Sequence, residues 1–176
     1  MRPTPEQASR FKAWLEEHRG ILVKVTRSFA PGPADAADLR QEILLQLWTS
    51  LPSYAGQAKP STWIYRVCLN TALTWRRGTA RRESRLERGT DVEALAAGSA
   101  SPADQAGDGE VLDQLYAAIH ALPMFDRALM LLALDGLAYR EIAEITGLTE
   151  NHVGVSLTRA RQRLAVLMKG VTDELE

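Results

Sequence analysis

The sequence predicts an all-α protein made of two small helical domains, and three observations lead to that expectation. Apolar residues recur at three- and four-residue spacing along most of the chain. The alternating Val, Ile and Thr runs that are typical of strands are nearly absent. Residues 89–109 are instead rich in Gly, Ala, Ser and Asp, the composition of a flexible linker. We therefore expect an N-terminal domain over residues 1–88, a linker over 89–109 and a C-terminal domain over 110–176.

Prolines and glycines set the expected ends of the helices. In the first domain we expect helices over about Pro5–Phe29 and Asp35–Leu51, and a third from about Ser61 into an arginine-rich segment. Ser61 precedes an apolar run and is the expected N-cap of that third helix. In the second domain we expect four helices, over about residues 104–121, 124–135, 138–146 and 150–169.

Composition excludes several classes of protein. The 45% hydrophobic content is ordinary for a chain that buries a core, and no run approaches the roughly 20 apolar residues of a membrane span. The charged N-terminus does not resemble a signal peptide, so we expect a cytoplasmic protein without membrane insertion. One cysteine and three scattered histidines offer no metal-ligand spacing, and we expect no metal or cofactor. Cys68 is expected to be a small buried hydrophobe.

No catalytic pattern is present either. The sequence contains no glycine-rich phosphate loop and no nucleophile beside a base, so an enzyme is not expected. The net charge of -1 conceals a strong segregation along the chain. Residues 59–90 contain eight Lys or Arg against two Glu, whereas residues 91–126 contain seven acids and no Lys or Arg. This distribution indicates an anion-binding surface followed by a segment that avoids or mimics nucleic acid.

Residues 139–164 have the pattern of a helix-turn-helix. Ile142 and the small Ala143 face the partner helix, and Gly147 permits a tight turn. Beyond the turn, an apolar stripe predicts a buried face, and the opposite face carries groups that can bond base edges in a major groove. These groups are Asn151, Val155, Thr158, Arg159 and Gln162. An amphipathic helical hairpin with a solvated outer face is the alternative interpretation.

The third helix carries an aromatic, an amide and arginines on one stripe. At spacings of three and four, this stripe carries Trp63, Arg66, Asn70, Thr74, Arg77 and Arg81, a pattern that suits backbone neutralisation and stacking on unpaired bases. The alternative is that Trp63 is a core residue and the arginines form a solvated helix end.

The second helix carries an acidic rim around one exposed apolar residue. Asp35, Asp38, Gln41 and Glu42 surround an outward-pointing Leu45, which is the anatomy of a docking patch for a basic protein. A charged, solvated helix face is the alternative.

Taken in this order, the three segments resemble the bacterial extracytoplasmic-function (ECF) sigma factors of the sigma-70 superfamily. "DAADLRQEILLQLW" is similar to the family's segment that grips the polymerase beta-prime subunit. "STWIYRVCLNTA" is similar to the segment that melts and reads the -10 element, and "GLAYREIAEITGLTENHVGVSLTRARQRL" to the domain that reads the -35 element. The resemblance implies an alternative sigma factor that directs core RNA polymerase, through its beta-prime and beta subunits, to promoter DNA.

The resemblance also implies roles for individual residues. Polymerase binding falls to the acidic rim with Leu45, and the loop of residues 54–60 receives a flipped-out base. The implied -10 residues are Tyr54, Gly56, Lys59, Trp63, Tyr65, Arg66, Asn70 and Arg77. The implied -35 residues are Arg140, Asn151, His152, Val155, Thr158, Arg159, Gln162 and Arg163. An anti-sigma partner and a monomeric free state are also implied.

Four positions depart from the family pattern. Ala37 replaces a common acid, and Ala138 replaces a capping Ser, at a cost of about 1 kcal/mol. Gly154 and Ser156 stand where Lys or Arg is frequent, which leaves the recognition helix short of phosphate contacts. Two rival functions stay open at this point: a stand-alone helix-turn-helix regulator, and a sigma-like adaptor that does not read promoters.

Overall fold

The computed structural model describes residues 4–87 and 108–172, and within those ranges it contains seven α-helices and no strand. The all-α fold class is therefore confirmed. No helix in these two ranges is long and apolar enough to cross a bilayer. The helices are α1 (Pro5–Phe29), α2 (Pro33–Ser50), α3 (Pro60–Glu87), α4 (Asp108–Ala121), α5 (Met124–Leu134), α6 (Tyr139–Thr146) and α7 (Glu150–Thr172).

Helix α1 begins with a complete capping box. The Thr4 hydroxyl accepts from the Gln7 amide at 3.2 Å, and the Gln7 side chain accepts from the Thr4 amide at 3.0 Å. The helix ends at Phe29, as expected, because Ala30 is extended before Pro31. A kink at His18, whose φ is -113° and ψ is 17°, separates a more exposed first half from the buried second half.

Helices α1, α2 and α3 form the first bundle. Its core contains Val25 and Phe29 from α1, Leu39 and Ile43 from α2, and Cys68 from α3, all with no exposed surface. The expectation that Cys68 is a buried hydrophobe is confirmed. Burial raises the pKa of its thiol to about 12, which keeps it protonated at neutral pH.

Two expected helix starts in this bundle were wrong. Helix α3 begins at Pro60, so Ser61 lies inside the first turn and is not the N-cap. Proline is favoured at the first helical position because its missing N–H has no partner there. Helix α2 likewise begins at Pro33 rather than Asp35. Residues 89–107 of the expected linker lie outside the described residues, and so does the expected start of α4 at about residue 104.

Helices α4 to α7 form the second bundle. Its buried centre contains Leu129, Leu132, Ile142, Val153 and Leu157. Gly136 and Gly147 connect its helices with φ of 78° and 77°, a conformation that side chains disfavour. The expected turn function of Gly147 is confirmed. The proposed domain boundaries themselves stay a prediction.

The two bundles lie against each other. Helix α6 packs beside α3, and α4 and α5 pack beside the second half of α1. Buried apolar side chains continue from one bundle into the other. The contacts between the bundles therefore form part of the folded core and bear directly on the candidate site.

Candidate nucleic-acid interface

The recognition helix α7 has the two faces that its periodicity predicts. Val153, Leu157, Ala160 and Leu164 are buried against the bundle. The opposite face is exposed and carries Asn151, His152, Val155, Thr158, Arg159 and Gln162. A stripe of amides, one arginine and an apolar side chain can hydrogen-bond base edges and contact a thymine methyl group.

Helix α6 compensates in part for the absence of a capping serine. Glu141 reaches back and accepts a hydrogen bond from the Ala138 amide at 3.0 Å. This bond and the ammonium of Lys59 lower the pKa of the Glu141 carboxyl, since both favour its ionised form. The Ala138 side chain has no oxygen that could accept a hydrogen bond from the Glu141 amide, so one of the two hydrogen bonds of a capping box is missing. At the start of α7, the Thr149 hydroxyl accepts from the His152 amide at 3.3 Å.

Gly154 lies beside an aromatic ring on the outer surface of α7. A Cβ atom at this position would lie 3.4 Å from the Tyr139 ring, an ordinary van der Waals contact. The packing of Tyr139 therefore does not require a glycine here. An open depression of about 490 Å³ lies beside Tyr139, Asn151, Val155 and Thr158.

Three of the four arginines near this surface have protein partners. Arg163 pairs with Asp126 of α5, and Arg140 lies 3.6 Å from the Glu144 carboxylate. Arg161 donates to the Tyr139 hydroxyl at 3.3 Å. Arg159 is exposed on the outer face between Thr158 and Ala160. Of these four described arginines, Arg159 is thus the one whose charge has no protein partner, and the unpaired positive charge is concentrated there more than the sequence suggested.

The exposed face of α3 carries Asn70, Thr74 and Arg77. Trp63 is only partly exposed, because its ring packs against Tyr54 with 5.4 Å between centroids. Trp63 therefore belongs to a packed cluster, as the core interpretation expected, and retains some exposed surface; its stacking on an unpaired base stays a prediction. The loop before α3 contains Gly56 at a φ of 76°, and the Tyr54 hydroxyl donates to the Ala58 carbonyl at 2.5 Å.

Other residues of the expected -10 site contact the second bundle. Tyr65 is 2% exposed and donates its hydroxyl hydrogen to Asp135, which also binds the ammonium of Lys24. Burial, with the hydrogen bond to Asp135, raises the pKa of the Tyr65 hydroxyl well above its ordinary value. Lys59 pairs with Glu141 at 3.1 Å, and Arg66 donates to the Glu144 carbonyl.

A buried arginine joins the bundles on the other side. Arg127 of α5 donates to the Ser28 carbonyl near the C-terminus of α1 and to the His120 and Leu122 carbonyls at the end of α4. A cation suits these positions because helix C-termini carry partial negative charge. A ring nitrogen of His120 lies 2.8 Å from the Arg27 carbonyl. Between the bundles lies a polar cleft of about 330 Å³, bordered by His18, Lys24, Tyr65 and Asp135.

The acidic patch of α2 is on the surface. Leu45 is 53% exposed, and Asp38 and Gln41 are exposed beside it. Glu42 accepts a hydrogen bond from Gln46 at 3.0 Å, and Asp35 lies in the first turn of the helix. The five expected docking residues therefore occupy one end and one side of α2, away from its buried Leu39 and Ile43.

Sequence reasoning missed several contributors to this region. Contacts between residues 70 or more positions apart are made by Asp135, Glu144 and Arg127. No local pattern in the sequence identifies such partners. Trp14 of α1 was also missed, although a tryptophan on a half-buried helix face is a signal that can be followed. Among the described residues, no group of three His, Cys, Asp or Glu side chains is arranged to hold a metal ion.

Comparison with known proteins assigns both halves of the chain. The model of sigma-70 region 2 matches residues 14–82, and the model of sigma-70 region 4 matches residues 112–164. The chain is 29% identical to the ECF RNA polymerase sigma factor SigG of Mycobacterium tuberculosis, over 98% of this chain and 52% of that protein. It thus spans about half the length of SigG.

Other relatives match over most of their length. The ECF RNA polymerase sigma-E factor of Escherichia coli K12 is 29% identical over 88% of this chain and 84% of that protein. The sigma factor RpoE of Bartonella quintana, solved with the anti-sigma factor NepR, has the same fold, with a TM-score of 0.68 and 24% identity over 91% of this chain and 97% of that chain. CnrH, solved with the cytosolic domain of CnrY, superposes with a TM-score of 0.65 and 22% identity over 93% and 90%. With both sigma-70 regions in order along the sequence, this chain belongs to the sigma-70 family and is of the ECF type.

Proposed function

We propose that this protein is an alternative sigma factor that binds core RNA polymerase and directs transcription initiation at specific promoters. The observation that carries the proposal is the order of the two matched regions, each of which coincides with one helical bundle. The expected docking residues lie on α2, whereas the expected DNA residues lie on the loop of residues 54–60, α3, α6 and α7, so that docking and DNA contacts use different elements.

The second bundle would read the -35 element as duplex DNA. The exposed face of α7 has the width and composition of a helix that enters a major groove. Asn151 and Gln162 can bond adenine edges, Arg159 can bond guanine or phosphate, and Val155 can pack on a thymine methyl group. His152 lies at the helix start, where side chains of recognition helices contact bases.

The first bundle would capture melted -10 DNA. Asn70 and Arg77 on α3 supply hydrogen bonds and backbone neutralisation, and the loop of residues 54–60 would receive an extruded base. Extruding a base costs a few kcal/mol, and a pocket that binds only the extruded base returns that free energy at the right sequence. DNA can therefore be opened without an enzymatic step, and the proposed function involves no catalysis by this chain.

Three residues of the proposed -10 site are engaged by the second bundle. Lys59, Tyr65 and Arg66 contact Glu141, Asp135 and Glu144. Each of these contacts would have to open for the nontemplate strand to bind these three side chains. Docking on core polymerase, which would hold the two bundles apart, is a natural cause of that separation.

Polymerase docking would use the patch on α2. A half-exposed Leu45 with acidic and amide neighbours fits a basic, partly apolar surface such as that expected of the beta-prime subunit. We further propose an anti-sigma factor as a partner, because two structural relatives were solved with NepR, an anti-sigma factor, and with the cytosolic domain of CnrY. We also propose that the protein acts in the cytoplasm and is a monomer when free.

Run-off transcription with purified core polymerase and a promoter library tests the proposal. We expect start sites that depend on added protein. Asn70→Ala is expected to impair open-complex formation more than core binding, and Asp38→Arg to do the reverse. Equal loss of both functions in both variants would contradict the assignment. Core binding without any start site would favour an adaptor, and tight duplex binding without polymerase a stand-alone regulator.

A further inference from the structure

We propose that Trp14, on α1, is a positioning residue that holds the loop of residues 54–60 in shape and so sets base selectivity at the -10 element. This inference deepens the proposed function and rests on it. Trp14 lies 40 positions before the start of the loop in the sequence, on a helix to which no DNA contact is assigned.

Three aromatic rings meet beside the loop. The Trp14 and Tyr54 rings are 5.0 Å apart between centroids and nearly perpendicular, at 85°. The Trp14 and Trp63 rings are 5.8 Å apart, and the Tyr54 and Trp63 rings 5.4 Å. Each ring therefore contacts the other two, in edge-on or tilted geometries that aromatic pairs prefer. Trp14 supplies two of the three contacts in this aromatic cluster.

Tyr54 transmits this packing to the loop. Its amide donates to the Leu51 carbonyl at 3.1 Å, which closes the short 3-10 turn Leu51–Ser53. Its hydroxyl donates to the Ala58 carbonyl at 2.5 Å, which closes the other side of the loop. Between these two bonds lies Gly56 with a φ of 76°. One tyrosine thus takes part in both closures, and the position of its ring decides where its hydroxyl meets the Ala58 carbonyl.

The tip of the loop remains accessible, while the residues that pack beside its start are partly buried. Residues 55–57 are exposed, whereas Trp14, Tyr54 and Trp63 are partly buried. A binding loop that is already in its bound shape loses less conformational entropy when its ligand arrives. Removing the Trp14 ring leaves Tyr54 with Trp63 as its single ring neighbour in the aromatic cluster. We infer that the loop then samples other shapes and accepts the extruded base with less discrimination.

Helix α1 offers a matched control one turn earlier. Phe11 packs edge-on against Trp48 of α2, with 4.9 Å between centroids, and makes no ring contact with Tyr54 or Trp63 in the described structure. Phe11→Leu and Trp14→Leu both remove an aromatic ring from the same half-buried helix face. They differ in whether the lost ring touches the loop.

The experiment measures open complexes formed by reconstituted holoenzyme on promoters with each of the four bases at the extruded position. A 2-aminopurine placed next to that position reports opening, and core affinity and thermal unfolding are measured in parallel. For Trp14→Leu we expect about tenfold fewer open complexes at the preferred base, a flattened preference among bases, and core affinity unchanged within about twofold. We expect Trp14→Phe to restore most of the preference and Phe11→Leu to leave it intact.

Two outcomes would overturn the inference. One is an unchanged base preference in Trp14→Leu, and the other is an equal loss of preference in Phe11→Leu, which would indicate a general effect of destabilisation. Failure of the wild-type holoenzyme to open any promoter would instead overturn the proposed function, and this inference with it. The wild-type reaction therefore distinguishes the two failures.

Discussion

The two DNA-facing surfaces proposed for this chain differ in how far the folded protein already occupies them. On α7 the outer face, from Asn151 to Gln162, is exposed, and its neighbouring arginines are paired mostly within their own bundle. On α3 and the loop before it, Lys59, Tyr65 and Arg66 are engaged by the other bundle. The surface proposed for duplex DNA is thus exposed as a whole, whereas part of the surface proposed for melted DNA is engaged by the second bundle.

The contacts that cover α3 differ in strength. Lys59 and Glu141 form an exposed ion pair, of a kind that contributes about 0–1 kcal/mol. Asp135 is only 20% exposed and serves both Lys24 and Tyr65, and hydrogen bonds to charged groups contribute about 1.5–3 kcal/mol. Asp135 is therefore the contact at which the difference between the two surfaces can be tested most directly.

The largest expected effect is that of Asp135→Ala. The substitution removes the partner of both Lys24 and Tyr65, so α3 is uncovered more often. We expect the affinity of the free chain for single-stranded -10 DNA to rise about tenfold to a hundredfold. Fluorescence anisotropy with a labelled oligonucleotide measures the rise, and affinity for -35 duplex is expected to stay within about twofold.

Glu6→Ala is the matched control for this prediction. Glu6 pairs with Arg10 within α1, away from the contacts between the bundles. This substitution removes the same charge as Asp135→Ala, so any general attraction of DNA is accounted for. An equal rise in both variants would mean that charge, and not uncovering of α3, explains the result.

The second effect concerns the exposed surface of α7. Arg159→Ala is expected to weaken binding to -35 duplex by about tenfold and to leave binding of single-stranded -10 DNA unchanged, because the guanidinium contributes to base or phosphate contacts. Titrations over a range of salt concentrations measure the loss. Arg161→Ala, which removes a side chain bonded to Tyr139, is expected to weaken binding less. If the order of the two variants were reversed, the assigned face of α7 would be wrong.

A smaller effect is expected from pH. Burial lowers the pKa of His120 from its ordinary 6.5, and the nearby Arg127 and Arg76 act in the same direction. The unfolded chain therefore binds this proton at a higher pH than the folded chain does. Neutral His120 therefore contributes to the stability of the folded state above about pH 6.5. This contribution is lost as the pH falls from there towards the lowered pKa of the folded protein.

Urea unfolding between pH 7.5 and 5.5 tests this sign. We expect the free energy of unfolding to fall as the solution is acidified, and His120→Gln to reduce the slope. The ordinary pKa of Asp and Glu lies lower, so carboxylates contribute little to the slope in this range. A slope that is the same in His120→Gln would assign the pH dependence to other groups.

Local patterns in the sequence predicted most of what is local in the structure. Helical periodicity predicted the buried and exposed faces of α7, and a glycine predicted the turn at Gly147, because each follows from a few neighbouring residues. Helix starts were less accurate, since Pro60 and Ser61 are both acceptable first-turn residues and only the fold decides between them. Resemblance to a family supplied the functional roles, which periodicity alone leaves open.

The contacts between the bundles, which decide how far the candidate site is covered, could not be predicted from local sequence patterns. Tyr65 was expected to shape the -10 site, but its partner Asp135 is 70 positions away, in the other bundle. The position of Arg127 beneath the end of α1 depends in the same way on how the bundles meet. Sequence patterns describe the faces of single helices. Which two faces meet is decided by the packing of the whole chain.

The smallest effect concerns α6, the helix that lies over α3. Ala138 offers no acceptor at the N-cap, and Glu141 supplies only the reverse bond of a capping box. Ala138→Ser would let its hydroxyl accept from the Glu141 amide and stabilise the protein by about 0.5–1 kcal/mol. Thermal unfolding measures the gain, and Ala138→Val, which lacks the hydroxyl and is as poor an N-cap as alanine, is the control. Glu141 and Glu144 of α6 also contact the first bundle. A more stable α6 is therefore expected to cover α3 slightly more. Stabilisation accompanied by tighter binding of single-stranded -10 DNA would show that α6 does not act as the cover.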